Sequence, residues 1–202
     1  MFNNKWLNLV FVLLGGVVFC ASGRAQTSVG LSLYGAFSGS TTGNGVQDSP
    51  AASAGGMFEL RHISNPIFGF EGTYSYNRAN TTYRCTSSSC PIISPARVSA
   101  NAHEITVDWI PSVHLANLRP FGVLGVGVLL NQPAGDQPLT SSSTTAVYVY
   151  GAGLDVGIVP HVGLRFQYRG NLYKAPDLSK LYTSIDAFKH SSEPMAGVYI
   201  NF

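Results

Sequence analysis

The chain has 202 residues, 45% of them hydrophobic and only 11% charged. From Gln26 onward ten Lys and Arg face ten Asp and Glu, because Lys5 and Arg24 belong to the preceding stretch. That balance offers no overall cationic surface for nucleic acid, and the length fits one domain.

Residues 1–25 read as a signal peptide. Lys5 supplies a positive start, Trp6 to Ala21 form a short apolar run interrupted by Asn8, and Gly23 and Ala25 place small residues before a cleavage point. Cys20 follows the bulky Phe19, which fits a lipoprotein signal poorly. Residues 26–202 are then the exported domain, in which Cys85 and Cys90 lie close together in "RCTSSSCP". In an exported protein such a pair reads as a disulfide. A metal site is the alternative, but no histidine or further cysteine stands nearby to complete a tetrahedral set.

A period of two runs through the domain and predicts strands near 27–37, 52–62, 67–77, 98–109, 119–130, 145–158, 161–172 and 192–202. The clearest stretch is "VGLRFQYRG" at 162–170. Val162, Leu164, Phe166 and Tyr168 fall on one face, and Gly163, Arg165, Gln167 and Arg169 on the other. Most of these strands suffice to cross a bilayer when tilted, which takes about 9–11 residues. Short turns ("ISNP", Val159-Pro160, and an intermediate one near 110–118) alternate with long polar loops, including 173–191 with Lys174, Lys180 and Lys189. No predicted strand carries a lysine. Long loops on one side and short turns on the other are the habit of transmembrane barrels, and an even strand number puts both ends on the short-turn side.

Alternation alone does not say which face meets lipid, since a soluble barrel is patterned the same way inside out. The polar faces hold mainly Gly, Ser, Thr and Ala instead of the Lys and Glu of a water-facing sheet. Aromatic residues gather at strand ends, with Tyr74, Tyr76, Tyr148, Tyr150 and Tyr168 toward the long loops and Phe68, Trp109 and Phe202 toward the short turns. Two such girdles match membrane interfaces. The expected fold is all-β: an eight-stranded antiparallel up-and-down transmembrane barrel with its apolar face to lipid.

With "RPFGVLGVGV" as the fifth strand, "GAGLDVGIVPHVGLRFQYR" as the sixth-to-seventh hairpin and a terminal "GVYINF", the chain resembles the OmpA-type, eight-stranded family of bacterial outer-membrane barrels. It differs from the best-known member in showing no periplasmic peptidoglycan-binding domain after Phe202. The resemblance implies residence in the outer membrane of a Gram-negative-type envelope, among bilayer lipid and lipopolysaccharide. It also implies that Val198, Ile200 and Phe202 form the signal read by the barrel-assembly machinery. Fold resemblance leaves activity open.

With the apolar face outside, strand parity sends Glu59, Arg61, Glu71, Glu104, Asp108, Asp155, Arg165 and Arg169 into the lumen, and strand five adds Arg119 at its start, where both faces are apolar or glycine. Unpaired charges there would be costly, so carboxylate–guanidinium pairs are expected. Eight strands leave an interior that side chains fill, which favours a structural core over an ion path. Lipid A deacylases, another group of small outer-membrane barrels, use a His-x-Ser pair with a downstream carboxylate, and His190 and Ser192 match that spacing. No acid follows Glu193, and Ser192 and Glu193 point to opposite faces of a strand. No catalysis is therefore expected, and His190 is read as a loop residue at the membrane rim. His103 falls where the outward face leaves the apolar zone, and His62, His114 and His161 fall at turns or strand ends. None has a second ligand at metal spacing, and no cofactor motif is present. The expected role is an envelope or surface interaction module acting through long extracellular loops on an unidentified ligand. The alternative is a narrow channel for ions or small solutes.

Overall fold

The structure is a computed structural model that describes residues 26–65, 67–87, 95–135, 139–182 and 184–202. The signal stretch and Cys90 lie outside the described residues. All ten elements are strands: β1 (Gln26–Ser38), β2 (Thr41–Gly43), β3 (Val46–Pro50), β4 (Ser53–Ile63), β5 (Gly69–Cys85), β6 (Ala96–Trp109), β7 (Leu118–Pro133), β8 (Ser143–Val159), β9 (Val162–Lys174) and β10 (Phe188–Asn201). β1 and β4 to β10 pair antiparallel with their sequence neighbours. Leu31 opposite Val198 then joins β1 to β10 and closes the ring. The result is a closed, eight-stranded antiparallel barrel.

The exposure pattern follows the pleat. Leu33 is 76% exposed between Ser32 and Tyr34, which are buried, and Phe166 is 50% exposed between Arg165 and Gln167 at 1% and 5%. The barrel is thus apolar outside and polar inside, the inverse of a water-soluble one. Both described ends lie at the short-turn rim, where the Phe202 amide donates to the Thr27 carbonyl at 2.8 Å.

The turns at that rim are tight. Asn65 Oδ1 accepts from the amides of Ile67 and Phe68 at 3.0 and 2.9 Å, holding the β4–β5 turn. The β8–β9 hairpin turns through Pro160 and His161, the latter at φ 72°. At the opposite rim the strands outrun their expected ends. β5 continues to Cys85 and β6 starts at Ala96, with Tyr83 opposite Ala96. Beyond the membrane no apolar exterior is required, so the alternation that marks the spans fades although hydrogen bonding continues.

Two elements correct the sequence reading. The stretch 38–51, expected as a loop, holds the β2–β3 hairpin. Its turn is Asn44-Gly45 with φ of 50° and 74°, the two positive values a type I′ turn requires. β3 then pairs with β5 from Val46 opposite Cys85 to Pro50 opposite Thr81, directly above the β4 pairing. Lys174 and Lys189, expected in a loop, belong to β9 and β10, and Lys189 is buried.

A cysteine placed at Leu33 in the refolded barrel should react with a membrane-soluble maleimide, whereas one at Ser32 should resist it. Mass spectrometry of the labelled peptides reads the difference, and equal reaction at both would contradict the outward apolar face.

Candidate functional site

The lumen is built from the inward positions of every barrel strand, and β9 supplies its centre because Arg165, Gln167, Arg169 and Asn171 alternate inward along it. Two tiers of charge result. In the tier nearer the short turns, Arg165 Nε and Nη2 donate to the two oxygens of Asp155 at 2.7 and 3.1 Å. Its Nη1 reaches Glu59 at 2.6 Å and Glu71 at 3.1 Å. Arg61 donates through Nε to Glu71 at 2.6 Å and through Nη1 to Asp155 at 3.1 Å. Two guanidiniums thus knit together three carboxylates from β4, β5 and β8, a geometry the planar fork of arginine allows and an ammonium does not.

Small residues and one ring make room for this tier. A Cβ at Gly30 would lie 2.4 Å from Glu59 Oε2. The Phe121 ring packs beneath Arg61, 4.0 Å from the guanidinium carbon to the centroid, a cation–π contact in a site away from water. Arg119, opposite Asp155 in register, is half-buried at the short-turn rim and makes no ion pair among the described residues.

The second tier centres on Arg169, which donates from Nη1 to Asp108 at 2.8 Å and from Nη2 to Thr106 at 3.2 Å. Glu104 lies 3.7 Å from Nη2 and accepts from Asn171 Nδ2 at 2.9 Å. Gly125 leaves the space that Asp108 occupies. Glu193, opposite Arg169 in register on β10, also faces the lumen and accepts from Ser191 at 3.2 Å.

Above this tier a cavity of about 70 Å³ remains, lined by Tyr34, Glu104, Asn131, Tyr173, Lys189 and Glu193 among others. It is large enough for a few water molecules. Lys189 and Asp48, both buried, form an ion pair at its upper edge.

The long-loop end is closed by a cap. Leu178, Tyr182 and Ile185 from the β9–β10 connection pack with Ala175 against Val46, Tyr83, Val98 and Ala100. Tyr83 donates to the Pro176 carbonyl at 3.0 Å. Burial first, and then the charge of Asp48, hold its hydroxyl well above the ordinary phenol range, so it stays a donor. Neighbouring loops lock in: Ser141 N donates to Leu178 O at 3.1 Å, Lys180 N to Leu139 O at 2.9 Å, and Asn44 Nδ2 to Ser184 O at 2.8 Å.

The structure therefore brings Glu59, Arg61, Glu71, Asp155 and Arg165 into one cluster and Glu104, Asp108 and Arg169 into another. Asp48, Lys189 and Glu193, outside the set expected from strand parity, also lie in the lumen. Glu193 was legible, because the outward Val198 and Ile200 fix the parity of β10. Asp48 faces inward because it lies in the β2–β3 hairpin, and Lys189 because β10 starts at Phe188, beyond the stretch where alternation marks the span. Cys85 ends β5 half-buried against the cap.

On the outer face, tyrosines of the upper girdle bond to neighbouring strands. Tyr74 pairs with His103 Nδ1 at 2.9 Å, Tyr150 with His190 Nε2 at 2.8 Å, and Tyr168 with Ser192 at 3.0 Å. His190 is thus a strand residue of β10, not a loop residue. Its ring stacks on Tyr150, with centroids 5.9 Å apart. Ser192 shares that outward face, while Glu193 lies inside. Among the described residues no group of three His, Cys, Asp or Glu is arranged to hold a metal ion. At the other girdle Trp109 Nε1 donates to Ile67 O at 2.6 Å, and Val198, Ile200 and Phe202 stand exposed.

A closed eight-stranded barrel with oil-facing walls, aromatic girdles and an ion-paired lumen defines an integral outer-membrane protein. The family model described as "Outer membrane protein beta-barrel domain" matches residues 11–188, and the chain belongs to that family. No curated protein sequence matches the chain. Solved structures share the fold at low identity. Neisserial surface protein A aligns with a TM-score of 0.55 at 14% identity, covering 91% of this chain and all of that one. Ail, the attachment invasion locus protein of Yersinia pestis, in complex with a heparin analogue, aligns at 0.54 and 15%, covering 89% and 100%. OprG from Pseudomonas aeruginosa aligns at 0.53 and 9%, covering 88% and 95%. The protein resides in the outer membrane.

Replacing Arg165 with Met removes the partner of Glu59 and the fork on Asp155, leaving buried carboxylates uncompensated. Stability in micelles should fall by about 3–5 kcal/mol. Lysine at the same position should recover only part of that, because it restores the charge without the fork. Urea unfolding monitored by tryptophan fluorescence measures both.

Proposed function

We propose that the protein is a non-catalytic surface module in which the barrel is an anchor and the capped long-loop end presents a binding surface to the cell exterior. The cap carries this reading. Its loops pack on a shared apolar core, so they hold a surface in shape before any partner arrives, which lowers the ordering cost of association. The lumen beneath is obstructed twice, by the cap and by the two charge tiers. Ail, the attachment invasion locus protein, and Neisserial surface protein A share this fold, which supports the same reading. Catalysis of the deacylase kind is disfavoured by geometry, because His190 and Ser192 each bond a tyrosine of the girdle while Glu193 faces the other side.

The same proposal includes three processing features. Cleavage after residue 25 releases the barrel domain. Val198, Ile200 and Phe202 are read by the assembly machinery. Cys85 and Cys90 form a disulfide that closes the short loop above β5, worth about 2 kcal/mol on a chain-entropy model. Non-reducing peptide mapping of the outer-membrane form should recover residues 85 and 90 in one linked fragment, and free alkylation of both would refute the bond.

A channel would require a path past Arg61, Arg165 and Arg169. The wild-type protein in planar bilayers should show no steady conductance. Steady, ion-selective openings that vanish in Arg165→Met would replace the surface reading with the channel. Replacing Leu178, Tyr182 and Ile185 together with Ser should abolish binding of whole cells to their target surface while heat-modifiable gel migration of the barrel persists. Unchanged binding would count against the cap.

A further inference from the structure

The net neutrality of the mature chain conceals an uneven distribution. From Gly72 to His103 there is no acidic residue, yet the stretch carries Arg78, Arg84 and Arg97. All three are exposed and fall on the outward parity of β5 and β6. None forms a salt bridge or side-chain hydrogen bond among the described residues. The exposed Lys174 is different: it pairs with Asp186 at 2.6 Å.

Their placement follows from register. Arg78 stands two residues past Tyr76 of the upper girdle, opposite Asn101, and Arg97 stands opposite Thr82. Arg84 is one inward–outward repeat further along β5, diagonal to Arg97, and is flanked on its other side by Gln47 of β3. At about 3.3 Å per residue the three lie about 7, 20 and 26 Å beyond Tyr76 along the strand. With a tilt of about 40° they rise to about 5, 15 and 20 Å above the girdle.

The platform is stiff. Behind the arginines, the inward residues Tyr83, Val98 and Ala100 belong to the cap core. Between them the outward face offers Asn80, Ser99 and Asn101, side chains suited to sugar hydroxyls. The face looks sideways, along the wall that continues up from the lipid-facing aromatics, and not upward from the top of the cap.

We propose that this stripe binds a phosphorylated glycolipid of the outer leaflet, its guanidiniums gripping phosphates along the headgroup of a molecule standing against the barrel wall. Arginine grips phosphate through two parallel N–H bonds. A phospholipid headgroup layer, about 5–8 Å thick, reaches Arg78 alone. Only a headgroup built of extended, charged sugars reaches Arg97 and Arg84 as well. The inference rests on outer-membrane residence and not on what the cap binds, so its failure would leave the surface-module reading untouched.

The test uses the full barrel in zwitterionic nanodiscs, with fluorescent lipopolysaccharide as probe. Combined Arg78→Gln, Arg84→Gln and Arg97→Gln should weaken binding by about tenfold or more. Arg84→Gln with Arg97→Gln should account for most of that loss, and dephosphorylated lipopolysaccharide should bind the wild type as weakly as the triple variant binds the intact lipid. Heat-modifiable migration confirms that each variant is folded. Three results would overturn the proposal. The first is equal affinity of wild type and triple variant. The second is a loss fully reproduced by Arg78→Gln with phosphatidylglycerol serving as well as lipopolysaccharide. The third is a triple variant that loses a soluble sulfated oligosaccharide yet keeps lipopolysaccharide.

Discussion

A backbone inside a bilayer has no water to satisfy its amides and carbonyls, so every strand must find a partner on both sides. In this protein the demand is met by pairing β1 with β10, which leaves no edge in the ring. Closure then sorts the side chains. Each residue of a span faces either hydrocarbon or a narrow shared interior, and little lies between. Val162 and Leu164 can stand outside only because Gly163 and Arg165 turn in.

The interior created by this sorting is too narrow to hold much water around each charge. Charge survives there by mutual satisfaction. Glu59, Glu71 and Asp155 come from different strands, yet they share two guanidiniums, so the tier ties β4, β5, β8 and β9 together across the barrel. This also pins the register. A slip of one residue in β9 would turn Arg165 into lipid and Leu164 into the charge cluster. The upper tier, with Arg169 facing Asp108 and Glu104, repeats the device at a second height.

How much of this was legible in sequence follows from the same physics. Within the hydrocarbon layer the alternation is enforced, so the spans and the inward set from Glu59 to Arg169 could be read by parity alone. Past the aromatic girdle that enforcement ends. Asn77, Arg78, Asn80, Thr81 and Thr82 are polar on both faces, and nothing in them announces that β5 continues to Cys85. The β2–β3 hairpin did carry a signal in Asn44-Gly45, but its strands are short and its surroundings rich in Ser and Thr. The cap core was hardest to read. Leu178, Tyr182 and Ile185 are scattered in a polar loop, and their partners Tyr83 and Val98 are distant in sequence, so no local period links them. The cationic stripe was hidden by summation, because a balanced total says nothing about one hairpin.

The seam between β1 and β10 has a bearing on biogenesis. The strand that completes the ring is the last of the ten to be made, and Leu31 meets Val198 only after everything between them has emerged. Until then β1 offers an unpaired margin to any other chain, and a crowd of half-built molecules would stick edge to edge. Contacts so far apart in the polypeptide also form slowly. The same pairing that removes every edge from the finished ring thus leaves the two margins exposed for the longest time during folding.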